Sequence, residues 1–254
     1  MPLALILSSH VAASRVGGSA QALALGPLGI EPVVVPTVLF GRHPGWGAPG
    51  GAAVPVETFE GMLQGIEAQG VFASADLVLT GYFASTEQVA VAARAVRACS
   101  KARVVVDPIM GDAGMGLYVR GDVAEAIQRE LIPLADVVAP NAWELERLTG
   151  MPVTDAASAV EAARRLGRPT LVSSIDCGEE IGVVYADASG AWLAAHRRLP
   201  NVPKGTGDLL TALFAAAMLE DLAPAERLTR AVRGVALALE AANKDATVRI
   251  EQLA

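Results

Sequence analysis

The 254-residue chain is 52% hydrophobic, 19% charged and only 4% aromatic, proportions that suit a globular protein able to bury a core and not a disordered segment. Its 20 Lys+Arg against 27 Asp+Glu give a formal charge of −7, leaving no basic excess for a nucleic-acid backbone or an anionic membrane surface, so neither is expected as a partner. Two cysteines, Cys99 and Cys177, are too few for a disulfide framework in a chain of this size and read as free thiols in a reducing cytoplasm. The apolar opening at 3–7 lacks a basic leader and is too short for a secretory segment. No later run reaches the ~18 apolar residues of a membrane helix.

Short apolar runs bounded by turn residues at 3–7, 32–38, 76–80, 103–107, 135–139 and 170–174 predict strands buried on both faces. Between them, 85–102, 119–130, 141–149 and 154–166 carry apolar residues at three- and four-residue spacing and predict amphipathic helices. Segments 181–185 and 191–196, joined through Asp187-Ala188-Ser189-Gly190, predict a hairpin added late to the sheet. Helices over 206–219 and 223–242 complete the chain. This alternation predicts an α/β fold, a central, mostly parallel β-sheet flanked by α-helices. No linker divides the sequence, so residues 1–254 are expected to form one domain. The stretch 41–55 breaks the rhythm; rich in Gly and Pro, with His43 and Trp46, it reads as an irregular loop, either plain surface or a lid.

That loop contains a literal G-x-G-x-x-G at Gly45, Gly47 and Gly50, but Pro49 and Pro55 argue against a helix opening there, and a helix N-terminus is what holds pyrophosphate in such a site. There is no P-loop motif, and neither Cys is spaced with a His as in a zinc site. Gly205-Thr206-Gly207-Asp208 is a better candidate, because it leads straight into an apolar helix. Glycines let backbone N–H groups converge, and the helix start adds partial positive charge, a combination that favours phosphate oxygens. The plainer use of Asp208 is as a helix cap.

Further polar residues stand at the ends of successive predicted strands: Asp107 in Asp107-Pro108-Ile109-Met110-Gly111-Asp112, then Asn141 and Glu144, then Ser173 and Ser174. In open parallel sheets ligands bind outside the strand carboxyl ends, where such residues can meet. Local uses compete, since Asp before Pro makes turns and Asn141 with Glu144 has the spacing of a capping box.

With these motifs in place the chain resembles the pyridoxal kinases of the ribokinase-like superfamily nearly end to end. The resemblance rests on Ser8-Ser9-His10-Val11, Val16-Gly17, Thr80-Gly81-Tyr82, Val106 to Asp112, Ala139-Pro140-Asn141-Ala142-Trp143-Glu144 and Gly205-Thr206-Gly207-Asp208. It implies a three-layer α/β/α fold and transfer of the γ-phosphoryl group of ATP to the 5′-hydroxymethyl of pyridoxal or a related B6 vitamer. The amides of Gly205, Thr206 and Gly207 would form an anion hole, and Asp208 would accept the alcohol proton while keeping a carboxylate pKa near ~4. Mg²⁺ is implied near Asp107, Asp112 and Glu144. Ala139, Asn141, Ser173 and Ser174 would line the nucleotide side with Asp107, Glu144 and the glycine turn, and 193–203 would form a flap near adenine. Ser9, His43, Trp46 and Tyr82 would surround the B6 ring beside Asp208.

The same resemblance implies a cytoplasmic homodimer. Three positions depart from the family pattern: Gly18 stands where Asn is frequent, Pro44 where Thr is frequent, and Lys204, directly before the glycine turn, is expected either to approach phosphate or, the favoured reading, to sit on the surface. The alternatives are a hydroxymethylpyrimidine kinase of the same superfamily, which usually has Cys at the position of Asp208, and a catalytically silent B6- or nucleotide-binding paralogue.

Overall fold

A computed structural model describes residues 1–199, 202–240 and 248–253. The strands are β1 (Leu3–Val11), β2 (Glu31–Phe40), β3 (Gly51–Ala53), β4 (Leu77–Thr80), β5 (Arg103–Val106), β6 (Gly111–Asp112), β7 (Gly116–Leu117), β8 (Val137–Val138), β9 (Thr170–Cys177), β10 (Glu180–Asp187), β11 (Gly190–Arg197) and β12 (Val248–Leu253). The helices are α1 (Gly17–Leu25), α2 (Val56–Ala68), α3 (Val71–Ser74), α4 (Thr86–Ala98), α5 (Gly121–Glu130), α6 (Ala142–Thr149), α7 (Ala156–Leu166), α8 (Thr206–Met218) and α9 (Pro224–Glu240).

Among the described residues one 10-stranded sheet runs in the order β12-β11-β10-β9-β8-β5-β4-β1-β2-β3. The central strands from β9 to β2 are parallel, and antiparallel strands extend both edges. Side-chain alternation divides the core between the two faces of the sheet. Leu5, Leu7, Val78, Val104 and Val106 pack toward α2, α4 and α5. Ala4, Ile6, Leu77, Leu79 and Val105 pack toward α1, α8 and α9. A smaller cluster joins α6 and α7 to β9, β10 and β11. Phe59, Phe83 and Phe214 are fully buried, each contributing about 1.5–3 kcal/mol by leaving water. The fold is therefore the expected three-layer α/β/α arrangement.

The boundaries and several elements differ from the sequence expectation. The run 135–139 yields only Val137–Val138 as strand because the 3₁₀ turn Ile132–Leu134 ends in Ala135 and Pro140 follows. The run 170–174 continues to Cys177, where β10 pairs with it beyond the parallel part of the sheet. The expected end of the last helix at Ala242 lies outside the described residues. Within 41–55, thought too irregular for regular structure, Pro44–Trp46 form a 3₁₀ turn and Gly51–Ala53 pair with Val38–Phe40. The segment is therefore the end of a β2–β3 hairpin.

Candidate active site

At the carboxyl ends of the parallel strands, α8 is preceded by its N-cap residue, Gly205, at φ +96°. A Cβ there would lie 2.1 Å from the Arg15 carbonyl oxygen, so both the dihedral and the close approach of the backbone require glycine. Leu209 N–H donates to Gly205 O at 3.0 Å, and the amides of the preceding first turn have no intrahelical acceptor. Asp208 stands in that turn, half-buried, with its Oδ1 buried and without a hydrogen-bond partner. Burial pushes its pKa up to about 6, against the opposing pull of the Gly17 amide and its own. The expectation of a carboxyl near ~4 is thus corrected: desolvation outweighs the helix start.

Asp107 and Glu144 approach from the sheet side. Asn141 caps α6: its Oδ1 accepts from Glu144 N at 2.9 Å, and Glu144 Oε2 accepts from Asn141 N at 2.9 Å. Glu144 Oε1 also accepts from Met110 N at 2.6 Å and Gly111 N at 3.2 Å, tying α6 to the turn after β5. Burial raises Glu144 to about 7 despite the three amides. Asp107 is pushed well above the usual carboxylate range by burial and by the facing charges of Glu144 and Asp208. Ile109, which follows it, has φ +39°, an outlier for a β-branched residue in the turn that shapes this site.

These elements surround a cavity of about 490 Å³. Ser9, His43 and Tyr82 line it together with Asp107 and Asp208, and so do Ala139, Asn141, Glu144, Ser173, Gly205 and Gly207. Gly17 is glycine because, at φ +58°, a Cβ would meet Ser9 Oγ at 2.1 Å. His43 Nδ1 accepts from Gly45 N at 3.0 Å, and burial and then Lys204 lower its pKa, so the ring is neutral at neutral pH with its proton on Nε2. Tyr82 is raised by burial. A second cavity of about 320 Å³ adjoins the first, sharing Ser173, Gly207 and Leu210 with it and adding Ser174 and Thr206. The α8 start therefore forms the wall between two spaces.

Two expected site residues stand apart. Trp46 is 56% exposed and packs against His43 on the outside of the hairpin tip, with ring centroids 5.7 Å apart, and does not line the cavity. Asp112 sits in the β6–β7 hairpin at the rim, accepting from Gly114 N at 2.9 Å, Met115 N at 2.8 Å and the Tyr118 hydroxyl. Its partial burial is outweighed by those donors and by Lys204, which hold it below the usual carboxylate range. The expected flap at 193–203 is strand through Arg197; Leu199 and Val202 line the second cavity, and Pro200 and Asn201 lie outside the described residues. Lys204 is both exposed and at the mouth of the first cavity. At Gly18 a Cβ would stand 2.9 Å from Val34 Cγ1, so a larger residue there would displace β2 packing.

The family model described as phosphomethylpyrimidine kinase matches residues 61–250. A pyridoxine/pyridoxal/pyridoxamine kinase of Bordetella avium is 38% identical over 225 residues, covering 84% of this chain and 76% of that protein. A pyridoxal kinase of Corynebacterium diphtheriae is 33% identical, covering 91% and 86%. The chain belongs to the pyridoxal kinase family. The pyridoxal kinase structure from Entamoeba histolytica superposes with a TM-score of 0.90 at 24% identity over 100% of both chains, which shows that the ribokinase-like fold is common to both.

In this pyridoxal kinase family member, sequence reasoning passed over Thr211, whose Oγ1 donates to Asp107 Oδ2 at 2.9 Å, and Gln88, buried under the β2–β3 hairpin. Thr211 carried a readable signal, a polar residue three positions after Asp208 on an apolar helix. Gln88 carried none, because its partners are backbone groups distant in sequence.

Proposed function

We propose that the protein transfers the γ-phosphoryl group of ATP to the 5′-hydroxymethyl of pyridoxal, releasing ADP and pyridoxal 5′-phosphate. One observation supports this above all: Asp208 presents a buried, unpartnered carboxylate oxygen at a helix start that separates two cavities. An alcohol in the larger cavity and a nucleotide in the smaller one would meet across Gly207. The hydroxymethyl oxygen attacks the γ-phosphorus, the bond to the bridging oxygen of ADP breaks, and the alcohol proton passes to Asp208. A carboxyl raised to about 6 remains ionised at neutral pH and is a stronger base than an ordinary aspartate. The amides of Gly205, Thr206 and Gly207 stabilise the charge on the transferring group. Ser9, Tyr82 and the neutral His43 position the ring.

Mg²⁺, when bound with the nucleotide, supplies positive charge to the phosphate oxygens. The residues fit it: Asp107, Glu144 and Asp208 gather negative charge, and among the described residues no Lys or Arg pairs with any of them. Asp107 and Glu144 would hold the ion and its waters, with Asp112 at the rim. Among the described residues no group of three such side chains stands in ligand geometry; Mg²⁺ generally keeps several of its waters and reaches a kinase site on the phosphates. Ser173 and Ser174 would face the nucleotide in the smaller cavity, and Asn141 and Ala139, which line the larger one, would meet its phosphate end. We further take residues 1–254 to be one domain, acting as a cytoplasmic homodimer; sedimentation of the purified chain tests the dimer. No helix among the described residues is long and apolar enough to cross a membrane.

A panel of pyridoxal, pyridoxine, pyridoxamine and hydroxymethylpyrimidine, each with ATP and Mg²⁺, tests the assignment through formation of ADP and of the phosphate ester. Turnover of pyridoxal is expected. Turnover of hydroxymethylpyrimidine alone would reassign the acceptor, and silence with all four would leave a binding protein.

A further inference from the structure

Thr211 is 2% exposed, and beyond the first turn of α8, which holds Thr206 and Asp208, it is the lone polar residue of the helix. A threonine inside a helix commonly returns its hydroxyl to a carbonyl one turn back. Two others here do so, Thr149 to Leu145 O at 2.8 Å and Thr229 to Ala225 O at 2.6 Å. Thr211 instead donates across the layer to Asp107 Oδ2 at 2.9 Å. Three positions separate it from Asp208, so both project from the same side of α8 and both line the larger cavity.

Asp107 needs such a donor. Its carboxyl faces Glu144 and Asp208, like charges that repel it, and the donors that meet it among the described residues are the Thr211 hydroxyl and the Ile109 amide. The strained φ of +39° at Ile109 belongs to the turn that brings its amide to Asp107. We propose that Thr211 is a positioning residue for phosphoryl transfer: its hydroxyl fixes the Asp107 carboxylate to α8, in register with Asp208 and the Gly205–Gly207 amides. Through this link a helix carrying base and anion hole and a strand carrying a carboxylate move as one unit. The inference rests on the kinase reading above.

The test is a double-mutant cycle on the intact enzyme, with steady-state kinetics for pyridoxal and ATP, metal-free ADP affinity by calorimetry, and thermal midpoints. Thr211→Val, nearly isosteric, is expected to lower kcat about tenfold by removing the buried hydrogen bond that holds the Asp107 carboxyl, leaving KM for pyridoxal and ADP affinity within about twofold. Thr211→Ser keeps the hydroxyl and is expected to restore kcat to within about twofold of wild type. In an Asp107→Ala background, whose residual rate is read in single turnover, Thr211→Val is expected to change nothing further, because Thr211 acts through the removed carboxylate. A merely structural threonine would give additive losses, a lower melting point and no rescue by Ser, and any of these overturns the proposal. Should Thr211→Val fail to fold, Thr211→Ser against Thr211→Ala decides on the same criteria. An active wild type with an equally active Thr211→Val overturns this role alone; a wild type silent toward all four acceptors overturns the kinase reading and this role with it.

Discussion

The start of α8 and the tip of the β2–β3 hairpin are both glycine-rich and both border the same cavity, yet they are held in opposite ways. At α8 the glycine is demanded by contact, since the Arg15 carbonyl occupies the space a Cβ would need at Gly205. At the tip, Gly50 has open space around it, and Gly47 faces only the flexible end of the Arg42 side chain. One turn is locked into the core and the other is tethered at its base, with His43 turned to the cavity and Trp46 to solvent. Glycine density therefore says little about phosphate binding; what matters is whether the turn opens a helix whose first amides face a cavity.

The largest expected effect tests the locked side. Asp208→Asn should lower kcat roughly 10²–10⁴-fold, the usual weight of a general base, with ADP affinity retained. The same variant should be more stable than wild type at pH 8. In the folded protein the carboxyl titrates at about 6, above its unfolded value near ~4, so the native state holds its proton more tightly. The stabilisation from that proton is complete below about pH 4 and is lost as the pH rises through 6, so at pH 8 the wild type bears the full cost of a buried charge that Asn lacks. A gain of about 1–3 kcal/mol in denaturant unfolding at pH 8, vanishing near pH 4, is expected. Undiminished turnover would remove Asp208 from the chemistry, and an unchanged stability difference across that range would mean the carboxyl is solvated.

How much of this was legible in the sequence follows from the range of the forces. The buried parallel strands and the later helices announced themselves through local hydrophobic patterning, and the capping-box spacing of Asn141 and Glu144 appears in the structure as read. Helix α1 did not, because Gly17-Gly18-Ser19-Ala20 has poor helix propensity and almost no amphipathic contrast; its place is set by packing on β1, β2 and α8. Helix α2 was readable from Phe59 and Leu63 at helical spacing but lay in the shadow of the Gly/Pro segment before it. In the site, residue types were legible and their charge states were not, since the raised Asp208 and Glu144 depend on a desolvation that only the assembled layers create. Trp46 was misplaced because an aromatic residue in a binding loop can point to either side of it.

The next effect tests the tether. Gln88, 1% exposed, donates through Nε2 to Thr37 O at 2.9 Å and Val54 O at 2.7 Å and accepts from Ala84 N at 3.0 Å. It joins both strands of the hairpin to the start of α4, while Thr37 Oγ1 donates to Tyr82 O at 2.6 Å. Gln88→Leu strands the Val54 carbonyl and the Ala84 amide, while Thr37 O keeps the Val54 amide at 2.9 Å, and should cost about 2–4 kcal/mol in denaturant unfolding. Because His43 and Tyr82 hang from this network, KM for pyridoxal should rise several-fold while KM for ATP stays level. Equal rises in both would mean that the hairpin base also shapes the nucleotide side.

The smallest effect separates the two faces of the tip. Trp46→Ala removes an exposed ring whose only aromatic contact among the described residues is His43, so stability should move by no more than about 0.5 kcal/mol and KM for pyridoxal by less than about twofold. His43→Ala, on the cavity side, should raise KM for pyridoxal more, because a neutral ring held by the Gly45 amide presents an N–H and a flat face there. If Trp46→Ala proved the costlier of the two, the tip would have to turn over on binding and bring the indole inward. The tethered hairpin would then be a closing lid, and its contrast with the locked turn of α8 would be one of motion as well as of packing.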